Sequence, residues 1–320
     1  MPGAMSRKCR MPASRPTRPA IARGSAGPME TTSIARPSRA TTGIALMTVA
    51  MLAIPAVDGL AKFLSANYSP LFISWARYVV ASLIVLPFAM ARHGARVLPP
   101  ERRGAHALRT VFLVIAMTLY FLAVARIPLA TAASAYFVGP IIAVVLSAAV
   151  LKEQLTARKI LSLGLGFAGA LVILRPGGAI EPGLLLAFGA GLAFAFYMIA
   201  TRRAAQDSDP VQTLVFQCTV GALLLTPQAI ASWSTPVPAD LVFFVGLGVI
   251  SAASHILSIT AFRLADASTL APLVYLELVG AAAIGYLAFR EVPGPATLIG
   301  AVLIMAAGLI LIQRRSRGPA

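Results

Sequence analysis

From Gly43 onward the chain is a succession of apolar runs about 20 residues long, and that feature limits what it can fold into more than any other. A helix rises ~1.5 Å per residue and the hydrocarbon core of a bilayer is ~30 Å thick, so each run is long enough to cross once. Ten runs can be placed, at 43–63, 70–91, 108–125, 129–151, 159–175, 183–201, 211–233, 239–262, 267–288 and 295–312, separated by short punctuating loops such as RPGGAIEPG and VPGP. With 58% hydrophobic and 12% charged residues over 320 positions, a water-soluble core could not hide this much apolar surface. A membrane β-barrel would show ~10-residue segments alternating apolar and polar, and no such alternation is present. The expected fold class is an all-α integral membrane protein with ten transmembrane helices.

A net charge of +16 raises the question of nucleic acid, and the positions of the basic residues answer it. With the N-terminus inside, 22 of the 27 Lys and Arg fall on inside segments: the tail 1–42, then 92–109, 152–159, 202–203, Arg263 and the C-terminal end. The other five are Lys62, Arg77, Arg126, Arg175 and Arg290. This is a topology signal with both termini cytoplasmic, and the surplus also suits contact with anionic lipid; no nucleic-acid partner is expected. The stretch 1–42, rich in Arg, Pro, Ser and Ala with one acid, Glu30, is expected to be a disordered basic tail. It has the Arg-rich, acid-poor look of a transit peptide, but its prolines oppose an amphipathic helix. A dispensable tail or a start at Met5, Met11, Met29 or Met47 is the preferred reading. Residues 313–320 are expected to form a cytoplasmic C-terminal tail. Cys9 lies in the tail and Cys218 in a span, so neither a disulfide framework nor a metal site is suggested.

The second half can be laid on the first. At an offset of 140, Gly43 falls on Gly183, Lys62 on Arg202, Pro70 on Pro210, Arg77 on Gln217, Ala81 on Gly221 and Pro87 on Pro227; at an offset of 138, LKE at 151–153 meets FRE at 289–291. Two units of five spans, 43–175 and 183–312, are expected. Five is odd, so the second must cross the membrane in the opposite sense, an inverted repeat whose two near-equivalent packings give alternating access.

GLLLAFGAGLAFAFYMIATRR (183–203), ATAASAYFVGPIIAVVLSAAVLKE (130–153) and ASTLAPLVYLELVGAAAIGYLAFRE (267–291) resemble the first helix of the second repeat and the fourth and ninth helices of the EamA-type members of the drug/metabolite transporter superfamily. The resemblance covers about 43–312. It implies a ten-helix carrier of the inner membrane, with a solute cavity between the halves and traffic, often outward, of metabolites, amino acids or toxic compounds. DGLAK, at the end of the first helix, resembles a subset that includes nucleoside-like metabolite carriers, without fixing a solute. One departure stands out: the proline often found after YLE in the ninth helix is Leu278 here, while Pro140 occupies the matching place in the first half, which leaves open whether the ninth helix is broken.

Of eleven acidic residues only Asp58 and Glu277 fall well inside spans, and among the bases only Arg77 is near a bilayer centre, with Lys62 close to an outer end. A charge at mid-helix costs ~2.5 to 3.5 kcal/mol on insertion scales, so each should face protein or water and have a partner. Arg77 shares a helical face with Ser74 and Ala81, small enough to admit a neighbour. Its candidate partners are Asp58 and Glu277, the latter with Gly280 and Ala281 on its face. Two readings stay open for Arg77: a structural ion pair, or a cavity cation that receives a solute carboxylate or phosphate through its planar fork. Gln217 at the matching position shows that the fold does not require a cation at both sites. Glu277 is either a hydrogen-bonded carboxyl or a coupling acid for protons. Asp58 and Lys62, four apart, read as an interface pair or as cavity residues.

Trp75, Tyr78, Tyr136, Tyr197 and Tyr275 lie within spans; core packing is their default, and as cavity lining they would hold an organic cation or a planar metabolite. His255 either titrates near neutral pH or hydrogen-bonds across helices. Glu153 and Glu291 precede helix starts, where capping suffices to explain them. An HExxH pair, a phosphate-cradling Gly–Lys loop and a nucleophile–base pair are all missing, so no enzyme and no cofactor is expected. The reading is a secondary transporter with a small-molecule solute, the lipid bilayer and protons or another coupling ion as partners; a homodimer is compatible with it. A channel or a non-transport scaffold is the alternative.

Overall fold

The computed structural model describes residues 39–94, 96–99, 102–151, 156–174, 181–204, 209–264 and 270–312. Glu153, Arg175, the tail up to residue 38 and the C-terminal residues 313–320 lie outside them. Every regular element among the described residues is helical: α1 (Arg39–Leu64), α2 (Pro70–His93), α3 (Arg103–Val124), α4 (Leu129–Tyr136), α5 (Gly139–Leu151), α6 (Ala157–Leu174), α7 (Pro182–Ala204), α8 (Pro210–Ala231), α9 (Leu241–Leu264), α10 (Leu276–Phe289) and α11 (Pro295–Ile312), with 3-10 turns at Pro238–Asp240 and Ala271–Tyr275. Counting α4 and α5 as one, eight helices are long and apolar enough to cross a membrane, and two shorter apolar helices, Leu273–Phe289 and Pro295–Ile310, follow. Helix α1 starts at Arg39, so the last four residues assigned to the tail, 39–42, are helical.

Helix starts are written the same way in both halves. Ser69 caps α2 by accepting from the Leu71 N–H, with Pro70 at the first turn; Asp209 caps α8 by accepting from the Val211 and Gln212 N–H groups, with Pro210 after it. A side-chain oxygen that takes an orphan donor, followed by a residue that has no N–H to lose, is an efficient start. The exterior is apolar: Leu83 and Leu223, matched at the 140 offset, are each 68% exposed, as expected where the solvent is lipid.

Packing between elements is reciprocal. Helix α1 runs along α9 and α3 along α7, while α2 packs on α8 and α6 on α11. The fourth span is broken at Phe137–Val138, between α4 and α5, and the ninth opens as a 3-10 turn that passes into α10 at Leu276. The ninth helix is therefore broken although Leu278 stands where the proline was sought; the 3-10 turn Ala271–Tyr275 carries its proline in the first turn instead. The break between α4 and α5 sits against α7 at backbone distance: a Cβ on Gly139 would lie 2.6 Å from the Gly191 carbonyl oxygen, and one on Gly191 would lie 2.7 Å from that of Tyr136. Only glycine at both places lets the two backbones meet.

Candidate functional site

Arg77, on α2, is 7% exposed and has no carboxylate within ion-pair distance among the described residues. Its Nε finds no hydrogen-bond partner. The guanidinium instead lies over two rings, with its carbon 4.9 Å from the centroid of Tyr78 and 5.3 Å from that of Phe121 on α3, contacts that attract a desolvated cation. Ser74 bonds Thr118 of α3 at 3.3 Å, and a Cβ on Gly248 of α9 would reach the Ala81 amide, so the small residues on the Arg77 face do admit neighbouring helices. Beside Arg77 is a small cleft lined by Tyr78, Gln217, Cys218, Ser251 and His255 among others. Its volume of about 10 Å³ is at the threshold for one water molecule, so this cleft as it stands does not admit a larger solute. Gln217, which the 140 offset lays on Arg77, lines the same cleft.

Asp58 on α1 is 4% exposed and accepts from the Tyr120 hydroxyl of α3 at 3.2 Å. Arg77 lies within its electrostatic reach but outside contact. Glu277, in the first turn of α10, is 8% exposed and within the electrostatic reach of Asp58. Its helix comes close because Gly280 faces the Pro55 ring of α1. Among the described residues neither acid pairs with Arg77, so of the two readings left open for it the structural ion pair is not formed here.

Aromatic rings run past the acids. Tyr136 lies 5.0 Å from Tyr120 and 5.0 Å from Phe194, Phe194 stacks on Tyr197 at 5.5 Å, and Phe137 links Tyr136 (6.0 Å) to Tyr275 (5.6 Å). The Tyr275 hydroxyl occupies the place where a Cβ on Gly308 of α11 would stand. Trp75 does not join this wall. Its indole N–H donates to Thr226 at 3.2 Å and its ring packs with Phe72 and Trp233, in a cluster at the α1–α2 turn that also contains Tyr68 and Phe244.

Three other expectations are corrected. Lys62 pairs with Glu291 at 2.6 Å, not with Asp58, and also donates to the Ile127 carbonyl at 2.7 Å. Glu291 caps a helix other than the one it precedes, accepting from the Leu129 N–H of α4 at 2.9 Å. Glu291, after α10, thereby holds the C-terminal end of α1 and the first residue of α4, and Lys62 also reaches the α3–α4 turn. His255 bonds within its own helix, Nδ1 to the Ser251 carbonyl at 2.9 Å, not across helices. Since a carbonyl only accepts, Nδ1 carries the proton there and Nε2 is left an acceptor in the neutral ring.

Sequence reasoning missed Arg109, counted among the basic residues outside the membrane. Helix α3 begins at Arg103, five residues before the predicted span, and carries Arg109 inward, where it is 7% exposed. Its Nε donates to Thr201 at 2.9 Å and its Nη2 to Tyr197 at 3.0 Å and Gln217 at 2.7 Å, with the guanidinium over the Tyr197 ring. The readable signal was that His106, Arg109, Thr110 and Leu113 share a face, all of it buried.

A helical membrane bundle that buries two guanidinium groups, two carboxyls and a run of aromatic rings has the build of a small-molecule transporter. The EamA-like transporter family profile matches twice, at residues 41–175 and 181–313. The chain belongs to that family, and its members are transporters, not enzymes. It is 29% identical over 277 residues to the S-adenosylmethionine uptake transporter of Rickettsia felis, covering 86% of this chain and 94% of the relative. It is 25% identical over 287 residues to the pseudopaline exporter of Pseudomonas aeruginosa, covering 86% and 97%. A crystal structure of 20% identity matches with a TM-score of 0.60, over 84% of this chain and 96% of that one, which shows the same fold.

Proposed function

We propose that the protein is a ten-span secondary transporter built as two inverted five-helix repeats, moving a small amphoteric metabolite with a planar ring by alternating access. The observation that carries this reading is the division of buried charge between the Arg77 cleft and the neighbouring acids. Arg77 stands on one side with no carboxylate within ion-pair distance among the described residues, and with Gln217 and His255 beside it; Asp58 and Glu277 stand on the other, with Tyr120, Tyr136, Phe137 and Tyr275 near them. A solute carboxylate would take the fork of Arg77, its ammonium or sulfonium the acids and ring faces, and its base the aromatic wall. S-adenosylmethionine has all three parts, and the name of the Rickettsia relative supports it as the first candidate. The reciprocal packing of α1 with α9, α3 with α7 and α2 with α8, and the twofold match of the family profile, support the repeat.

Lys62 with Glu291 shuts one end of the site, and Arg109 with Gln217, Tyr197 and Thr201 the other. With both chain termini cytoplasmic in an inner membrane, the Lys62 end is the outer one. Glu277 is the proposed proton coupler. Its carboxyl is buried, with Asp58 as a charged neighbour acting on it, the setting in which uptake or release of one proton changes the charge of the site. Export is the direction the family resemblance implied, and relatives carry both uptake and export names, so the assay must read both.

The test is a thermal-stability screen of purified protein against S-adenosylmethionine, amino acids, nucleosides, polyamines and organic cations, followed by flux in vesicles loaded or diluted with any hit. A solute at ~100 times its dissociation constant adds about 2.7 kcal/mol of stability. Stabilisation of the parent that is lost in Arg77→Gln, with matching unliganded melting, is the expected result. A screen without hits refutes the carrier reading in favour of a scaffold or channel; an Arg77→Gln variant that keeps the hit removes Arg77 from the site.

A further inference from the structure

Arg109 is a buried guanidinium satisfied without a carboxylate. Its three hydrogen bonds go to a threonine hydroxyl, a tyrosine hydroxyl and the side-chain carbonyl of Gln217, and no acid among the described residues lies within ion-pair distance of it. Such a group could have been an apolar residue if the helices only needed to pack, since removing a buried charge with its partners is often neutral. What it does to Gln217 is specific. Arginine has donors only, so the Gln217 amide must turn its oxygen toward Arg109, and its NH2 group is directed elsewhere. Gln217 also lines the cleft beside Arg77. Amide orientation is otherwise free, as O and N are nearly the same size and the amide can flip.

We propose that Arg109 is a positioning residue that sets solute specificity: by holding the Gln217 oxygen it presents the Gln217 NH2 to the Arg77 cleft as a donor. The cleft then offers the Arg77 fork and the Gln217 amide together, a donor pair matched to the two oxygens of a carboxylate or phosphate. If Gln217 were unrestrained, its oxygen would be as free to face the cleft, and would repel an anion and accept from an ammonium. The two halves thus contribute unequal groups at matched positions, a cation from one and an oriented neutral donor from the other. The inference rests on the reading of Arg77 as the ligand of the solute's anionic group.

The experiment compares the affinity of S-adenosylmethionine with that of its decarboxylated analogue, by thermal shift and calorimetry, in the parent, Arg109→Gln and Gln217→Glu. The parent should prefer the carboxylate form. Arg109→Gln, which frees the Gln217 amide to flip, should reduce that preference about tenfold, the weight of one hydrogen bond to a charged group. Gln217→Glu keeps a partner for Arg109, so its folding is protected, yet replaces the donor by an anion; it should lower the preference further or invert it. A merely structural role would weaken both probes alike, so an unchanged ratio in both variants, with the parent selective, overturns this inference alone. A parent that binds both probes equally overturns it together with the carboxylate role of Arg77. A parent that binds neither refutes the solute reading and takes this inference with it.

Discussion

Replacing Glu291 by Gln should open the Lys62 end of the site. The Lys62–Glu291 pair is 2.6 Å long and its side chains are only 15% and 18% exposed. Exposed ion pairs contribute ~0–1 kcal/mol and breaking buried ones costs ~3–5 kcal/mol. This pair lies between those limits, and the Leu129 N–H can still donate to the glutamine, so about 2 kcal/mol is the expected loss. The clasp ties the end of α1 and the α3–α4 turn to the segment after α10, so on the proposed reading it is intact only while that end is closed. A loss of ~2 kcal/mol on one side of a two-state equilibrium shifts it ~30-fold, for instance from ~1% open to roughly a quarter.

Cys218 reports on this directly, since it is buried, free and lines the cleft. In a Cys9→Ser background, alkylation of Cys218 by a membrane-impermeant maleimide added to the Lys62 side should accelerate ~25-fold in Glu291→Gln where labelling follows the open population. The exchange Lys62→Glu with Glu291→Lys should restore much of the protection. If the rate does not change, the clasp does not close the site; if it rises equally from both sides, the variant has loosened the whole bundle and the gate reading fails.

In transport, Glu277→Gln should abolish dependence on the proton gradient while leaving solute exchange measurable; unchanged coupling would remove Glu277 from the mechanism. Gly308→Ala places a methyl where the Tyr275 hydroxyl lies and should cost about 1–3 kcal/mol by overpacking, read as a lowered melting temperature. Tyr275→Leu in the same chain should relieve most of that cost, and simple additivity of the two would refute the contact. Tyr68, in the turn after α1, donates to Asp240 at 2.7 Å and accepts from the Val237 N–H at 3.0 Å; the hydrogen bond to Asp240 raises its ionisation above that of a free tyrosine. The stabilisation is therefore complete below the unfolded pKa and fades as pH rises through the folded one. Melting curves from pH 8 to 11 should show an alkaline loss that Tyr68→Phe lacks, and an identical alkaline slope in the variant would refute it.

The apolar runs were legible because crossing a membrane is a property of length and hydropathy along one dimension; among the described residues each predicted run overlaps a helix, eight of them long and apolar enough to cross and two shorter. The partners were not legible, because they depend on which helices touch. Lys62 lies one turn from Asp58 on α1, and the sequence offers that pairing; the fold offers Glu291, more than 200 positions away, because the ends of α1 and α10 meet. Arg109 was lost to a helix start five residues early, an error of the size expected where a charged first turn blurs the edge of an apolar run. Leu278 shows the same limit from the other side, since a break needs only a place where backbone bonding changes, and the 3-10 turn before Leu276 supplies it without a proline there. Arg77 and Gln217 make the same point about partners. The 140 offset lays one on the other, but an offset does not say which helices touch; the two side chains line one cleft because α2 packs on α8, and it is that contact which makes whatever orients Gln217 bear on the site of Arg77.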